Sequence, residues 1–196
     1  MCFTSFYQDC LEISIGLFYT VPVLVLMRNH VHLVLEPTPH GGKLSEIMKG
    51  INLSYAQYFK SKYNRVGHFW QDRFKSIIIA RDEYLLACGS YVELNPVRAK
   101  IATDPKDYLW SSYHVHAFGK KDVLVDEHPI YQTLSADEAQ RQARYREFVK
   151  GRIDKKKAMK GEMNKKAIYG SAEFIKALQS EYSLEAHIKP KGRPKK

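Results

Sequence analysis

Met27-Arg28-Asn29-His30-Val31-His32-Leu33-Val34-Leu35-Glu36-Pro37 is the stretch whose reading decides the fold. It sets two histidines one residue apart in an apolar run, with Val21, Val23, Leu24, Val25 and Leu26 before them and Leu33, Val34 and Leu35 after. The run reads as a buried β-strand. Side chains alternate along a strand, so His30 and His32 face the same way, about 7 Å apart along the chain. Two imidazoles in apolar surroundings are costly to bury without partners. A bound divalent metal would supply the partner; ordinary hydrogen bonding or rim exposure is the plainer reading.

At 196 residues the chain has room for one domain with a core, plus a tail. Its net charge of +10 points to a polyanionic partner, nucleic acid first. A membrane surface fits less well, because no basic amphipathic helix with a bulky apolar face stands out. Ile13 to Met27 is the longest apolar run; it is too short to span a bilayer and is interrupted by Gly16 and Pro22. Asp9 and Glu12 precede it where a secretory signal would carry positive charge. Cys2, Cys10 and Cys88 are odd in number and lack metal-ligand spacing, which predicts reduced thiols in a cytosolic protein.

After the histidine run, Pro37-Thr38-Pro39-His40-Gly41-Gly42 breaks regular structure. Leu44, Ile47, Met48, Ile51, Tyr55, Tyr58 and Phe59 then follow one helix face, with Lys49, Lys60 and Lys62 off that stripe. Asn64 to Gly67 reads as a turn, and Phe74 to Ala80 is β-branched enough for a strand. Asp82 can cap a helix running from Glu83 through Leu85, Leu86 and Cys88 to about Leu94. Asn95-Pro96 disfavours its continuation. These elements predict a compact α+β sheet domain to about residue 120. From Ser135 the chain turns polar, with Lys155, Lys156, Lys157, Lys160, Lys165 and Lys166, and Phe148, Phe174, Ile175 and Leu178 as apolar anchors. The end, from Lys189 to Lys196, reads as a disordered basic tail.

On the helix that starts at Glu83, Tyr91 and Asn95 are four apart and share a face. A phenol is a poor nucleophile until it is brought to a polarised phosphate. A divalent ion on two histidines and one oxygen can act there as a Lewis acid. Covalent capture on tyrosine would conserve the phosphodiester bond energy for later strand joining. Asn95 can offer the oxygen from the end of the same helix.

Several blocks together resemble a known family. Leu26 to Pro37 looks like the HUH motif, two histidines around a hydrophobic residue, of single-tyrosine transposases. Phe69-Trp70-Gln71-Asp72-Arg73-Phe74-Lys75-Ser76, then Tyr84-Leu85-Leu86, then Tyr91-Val92-Glu93-Leu94-Asn95-Pro96-Val97-Arg98-Ala99, and last Trp110-Ser111-Ser112-Tyr113, resemble further blocks of that group. Their order is similar to that of the REP-associated tyrosine transposases of bacteria, across roughly residues 20–120.

The resemblance implies a ferredoxin-like or RRM-like antiparallel sheet with helices on one face, followed by a helical and basic C-terminal extension. It implies cleavage of single-stranded DNA near short hairpins, with a 5′-phosphotyrosine, a free 3′-hydroxyl and Mg²⁺ or Mn²⁺ as cofactor. Tyr91 then matches the nucleophile, His30 and His32 the metal ligands, and Asn95 the third ligand. A cytoplasmic, nucleoid-associated monomer or homodimer is implied, with no membrane partner. The domain reading is an atypical, truncated N-terminus over 1–20, the transposase domain over 21–120, a polar, partly helical extension over 121–185 and a basic tail over 186–196.

Rival readings stand beside these. Tyr55, Tyr58 and Tyr63 are other candidate nucleophiles, the first two falling on the core stripe of their helix. His114-Val115-His116 is a second such histidine pair, read as coincidence because a zinc site there lacks two ligands. Arg73, Lys75 and Arg98 are candidate DNA-phosphate contacts or plain surface charge. Gly192-Arg193-Pro194 is similar to an AT-hook, which makes Arg193 a DNA-binding candidate. Residues 1–20 differ from the family's opening strand and helix, which favours, as the alternative, a catalytically inactive or truncated copy acting only as a DNA-binding protein. A hydrolase working through activated water would need a general base that has no candidate in the sequence.

Overall fold

The apolar run on either side of Met27 folds as two strands rather than one. β1 (Tyr19–Leu26) pairs antiparallel with β2 (Val31–Pro37), and Met27 N–H donates to His30 O at 2.9 Å to close the turn between them. Arg28 and Asn29 explain the break: both are exposed, asparagine suits turns, and a continuous buried strand would have to bury the guanidinium. His30 therefore ends the turn and His32 lies in β2, which corrects the single-strand reading. The structure, a computed structural model, describes residues 18–81, 83–153 and 168–182. Asp82, Cys2, Cys10, the lysines from Lys155 to Lys166, Arg193 and the basic tail lie outside the described residues.

The α+β class holds. The antiparallel hairpin sits between two helices, so helices cover both of its faces. α1 (Leu44–Tyr63) buries Met48, Ile51 and Tyr55 against Leu24 and Leu26 of β1, the spacing expected of one helix stripe. It ends at Asn64, which adopts the left-handed conformation with φ 47°. α2 (Glu83–Glu93) takes the other face, where Cys88 and Val92 pack with Val23, Val25 and Val34. Gly89 permits this approach, because a Cβ there would stand 3.1 Å from Val23 Cγ2. The register shifts between Thr20 and Val23, around Pro22, which has no N–H to give to the ladder.

The chain from Tyr108 to Ser112 covers the outer edge of β1. Leu26 N–H donates to Trp110 O at 3.0 Å, Ser112 N–H to Leu24 O at 3.0 Å, and Tyr108 OH to Leu26 O at 2.6 Å. Among the described residues β2 has no further strand partner. The strand predicted over Phe74 to Ala80 is only β3 (Ile78–Ile79), paired in parallel with β4 (Ile168–Tyr169); its partner is equally short, and residues 71–76 are exposed.

Asn95-Pro96 ends α2 but does not stop helical geometry. A new turn, α3 (Asn95–Arg98), starts with Pro96 near its N-terminus, where the missing N–H is harmless. A 3₁₀ turn (Pro105–Asp107), α4 (Tyr113–Phe118), α5 (Pro129–Gln132) and α6 (Glu138–Lys150) follow, and α7 (Ala172–Tyr182) comes after β4. Tyr131, Tyr145 and Val149 pack with Leu94, Tyr113 and Ala117 in a further core. The apolar anchors of the segment after residue 120 thus include two tyrosines that its polar composition concealed. No described helix is long and apolar enough to cross a membrane.

Candidate tyrosine–histidine site

The paired histidines converge. His30 Nε2 and His32 Nε2 are 3.1 Å apart, with ring centroids 4.9 Å apart and rings nearly perpendicular. His30 Nδ1 lies 2.7 Å from Asn29 Oδ1. A neutral His30 that donates its Nδ1–H to that oxygen carries its lone pair on Nε2, facing His32. Two nitrogens bound at about 2.1 Å and about 90–110° to one ion would lie about 3.0–3.4 Å apart, so the pair fits a shared divalent metal. His32 is half-buried, and burial first, then the charges of His30 and Arg98, lower its pKa from 6.5 to about 4. It is therefore neutral near pH 7, the form that binds metal.

Register places His32 toward the tyrosine helix. His32 pairs directly with Val25, and opposed residues share a sheet face. Val25 faces α2, so His32 points to that side of the hairpin. Tyr91 lies on α2 and is half-buried. Just past the helix, Arg98 ties the candidate residues together. Its guanidinium lies over the Tyr91 ring at 3.8 Å from the centroid, donates to Tyr91 O, and donates to Asn95 Oδ1 at 2.7 Å. Burial lowers the Arg98 pKa and the nearby Tyr91 phenol opposes that shift.

Arg98 is thus a half-buried organiser inside the site, where the sequence offered a choice between phosphate contact and surface charge. Asn95 Oδ1 spends one lone pair on Arg98 and keeps a second, while Asn95 Nδ2 is buried without a hydrogen bond. Among the described residues no three His, Cys, Asp or Glu side chains gather to hold a metal. The donor set is two imidazoles with an amide oxygen as third candidate.

The remaining candidates separate from this centre. Arg73 and Lys75 are exposed in the segment after α1, and Lys75 Nζ lies 3.3 Å from Asp72. In the same block Phe69 and Trp70 clamp α1: Trp70 Nε1 donates to Asn52 O at 2.8 Å, and both rings pack on Tyr55. Tyr55 is buried in the core, which leaves it no access to a substrate. Cys88 is buried, and burial pushes its thiol up to about 12, so it is no nucleophile.

Two residues carry more than their sequence context suggested. Glu93 is fully buried two positions beyond Tyr91, and His116 of the second histidine pair bonds to it. The signal in the sequence was an acidic side chain inside an otherwise apolar helix stripe. His114 is buried, and that burial is the largest of the influences that lower its pKa.

Fold and site define a mixed α+β domain with paired imidazoles at the end of a hairpin and a tyrosine on the helix packed across it. Residues 14–95 match the family model described as "Transposase IS200 like", a span that contains His30, His32, Tyr91 and Asn95. That match supports a transposase for this part of the chain. Neither the curated proteins nor the solved structures compared with the chain gave a match.

Proposed function

We propose that the chain is an HUH-type single-tyrosine transposase that nicks and rejoins single-stranded DNA beside short hairpins. The observation that carries this is the convergence of His30 and His32 on the α2 face of the hairpin, with Arg98 gripping Tyr91 and Asn95 and acting electrostatically on His32. The family match supports the transposase class, and the order of sequence blocks supports the REP-associated type within it.

In this reading the Tyr91 phenol loses its proton and its oxygen attacks the scissile phosphorus. The bond from phosphorus to the 3′ oxygen breaks, the 3′ oxygen takes up a proton, and the 5′ phosphate stays on Tyr91. Attack by a 3′-hydroxyl on that phosphotyrosine reverses the step and joins strands. His30 and His32, with Asn95 as third ligand, would hold Mg²⁺ or Mn²⁺. When bound, that ion supplies Lewis-acid polarisation of the phosphate. Arg98 holds the ring and backbone of Tyr91, which limits the freedom the nucleophile must lose before reaction. Arg73 and Lys75, and Arg193 in the tail, serve as phosphate contacts; the acting unit is a monomer or homodimer in the cytoplasm.

The test is a denaturing gel of protein with labelled single-stranded hairpin oligonucleotides and Mn²⁺. A covalent band in wild type that disappears in Tyr91→Phe, with DNA binding retained, supports the reading. A band that persists in Tyr91→Phe places the nucleophile elsewhere. DNA binding with no band in wild type favours the non-catalytic alternative.

A further inference from the structure

We propose that Glu93 is a positioning residue for Tyr91, the buried joint through which α4 and α6 fix the tyrosine helix against the histidine hairpin. The inference rests on the reading of Tyr91 as the nucleophile and extends it to a part of the chain beyond the family match, which ends at residue 95.

The Glu93 carboxyl group is fully buried, and three elements donate to it. Ser112 Oγ donates to Oε1 at 2.6 Å, His116 Nδ1 lies 2.9 Å from the same oxygen, and Tyr145 OH donates to Oε2 at 2.7 Å. Burial, with the facing Glu93 carboxyl, raises the Tyr145 phenol well above its ordinary range, so it remains a proton donor. Apolar side chains would join these helices without the cost of desolvating a carboxyl group. What the carboxyl group adds is direction: three hydrogen bonds fix the rotation and depth of the helix end more narrowly than apolar packing does.

That direction bears on Tyr91. Residues two apart on a helix point about 200° apart, so holding Glu93 inward on α4 and α6 sends Tyr91 to the opposite side. The same network reaches the hairpin. Ser112 Oγ also accepts from Leu24 N–H at 3.2 Å, and Leu24 belongs to the strand that pairs with the strand of His32. One carboxyl group thus sets the nucleophile helix relative to the paired imidazoles. Tyr145, 52 residues along the chain, becomes part of the scaffold of the active site.

The experiment places 3-fluorotyrosine at position 91 and reads its ¹⁹F resonance, the melting temperature and single-turnover adduct formation on a hairpin oligonucleotide with Mn²⁺. The proteins are wild type, Glu93→Gln, Tyr145→Phe and Ile51→Ala. The last removes core volume under α1, on the hairpin face opposite α2 and without removing any hydrogen-bonding group of the network, and calibrates a loss of stability alone. Glu93→Gln and Tyr145→Phe are expected to shift or split the resonance. They should also slow adduct formation on the order of tenfold while DNA affinity holds. Ile51→Ala is expected to melt earlier with the resonance and the rate per folded molecule unchanged.

An unmoved resonance in Tyr145→Phe and Glu93→Gln, with only the melting temperature lowered, would overturn the proposal. Should Glu93→Gln fail to fold, Tyr145→Phe, which keeps the carboxyl group and two of its donors, decides alone. A wild type that forms no adduct refutes the transposase reading, while the ¹⁹F comparison still decides whether Glu93 orients Tyr91.

Discussion

Replacing Glu93 by leucine removes the acceptor while nearly conserving volume, so the loss of stability reports the buried hydrogen bonds. His116 Nδ1 and the Tyr145 hydroxyl lose the partners they have in the wild type. Ser112 Oγ loses its acceptor but keeps the Leu24 N–H. Water offers little relief, since His116 is 3% exposed, Tyr145 2% and Ser112 0%. Each buried polar group left unsatisfied costs about 1–3 kcal/mol, so two give a loss of about 2–6 kcal/mol. At this chain length that lowers Tm by about 4–24 °C. Urea unfolding at pH 7 measures it directly. The double variant with Tyr145→Phe should cost less than the sum of the singles, because the two groups share one interaction. A loss below about 0.5 kcal/mol, the level of an ordinary surface change, would refute the reasoning.

His32 gives a pH dependence of definite sign. Its native pKa of about 4, against 6.5 for the free group, means the unfolded chain binds the proton more readily. Its stabilisation is complete above pH 6.5 and is lost as pH falls toward 4. Urea midpoints at pH 7 and 4.5 should therefore fall further in wild type than in His32→Gln; equal falls would contradict the assignment. Arg98→Met is expected to slow adduct formation on the order of tenfold with little change in DNA affinity, because it releases Tyr91 and Asn95. A parallel loss of affinity with a shallower salt dependence would instead make Arg98 a phosphate contact. Cys88 should resist alkylation in the folded protein and react once urea unfolds it, as mapped on its own peptide; ready modification in native buffer would contradict its burial.

Much of this architecture is legible where local chemistry decides. The α1 stripe of Met48, Ile51 and Tyr55 is read from period alone, because one helix face meets one apolar sheet face. The α2 boundaries follow from the apolar pattern and from Asn95-Pro96. The hairpin is harder to read, because the polar pair Arg28-Asn29 is short and the apolar residues on either side look continuous. The tyrosine and the paired histidines are visible as spacing, and the structure adds that the two imidazoles meet. What spacing does not carry is long-range pairing. Glu93 with Ser112, His116 and Tyr145, and Arg98 with Tyr91 and Asn95, depend on which elements pack together. In sequence, His114-Val115-His116 has the look of a metal pair, yet α4 gives its two rings different surroundings: His116 bonds to Glu93 and packs on Tyr131 and Tyr145, while the His114 ring packs on Tyr113 and Phe118.

The decisive measurement is to locate the DNA adduct. Protein incubated with a labelled hairpin oligonucleotide and Mn²⁺ is digested with nuclease and trypsin, and the peptides are fragmented by mass spectrometry. A 5′-linked nucleotide on Tyr91, within the peptide spanning 82–98 and absent when His30 or His32 is alanine, is the expected result. A nucleotide on Tyr84 of the same peptide, on another tyrosine, or on none while hairpin DNA is cleaved, would contradict the account.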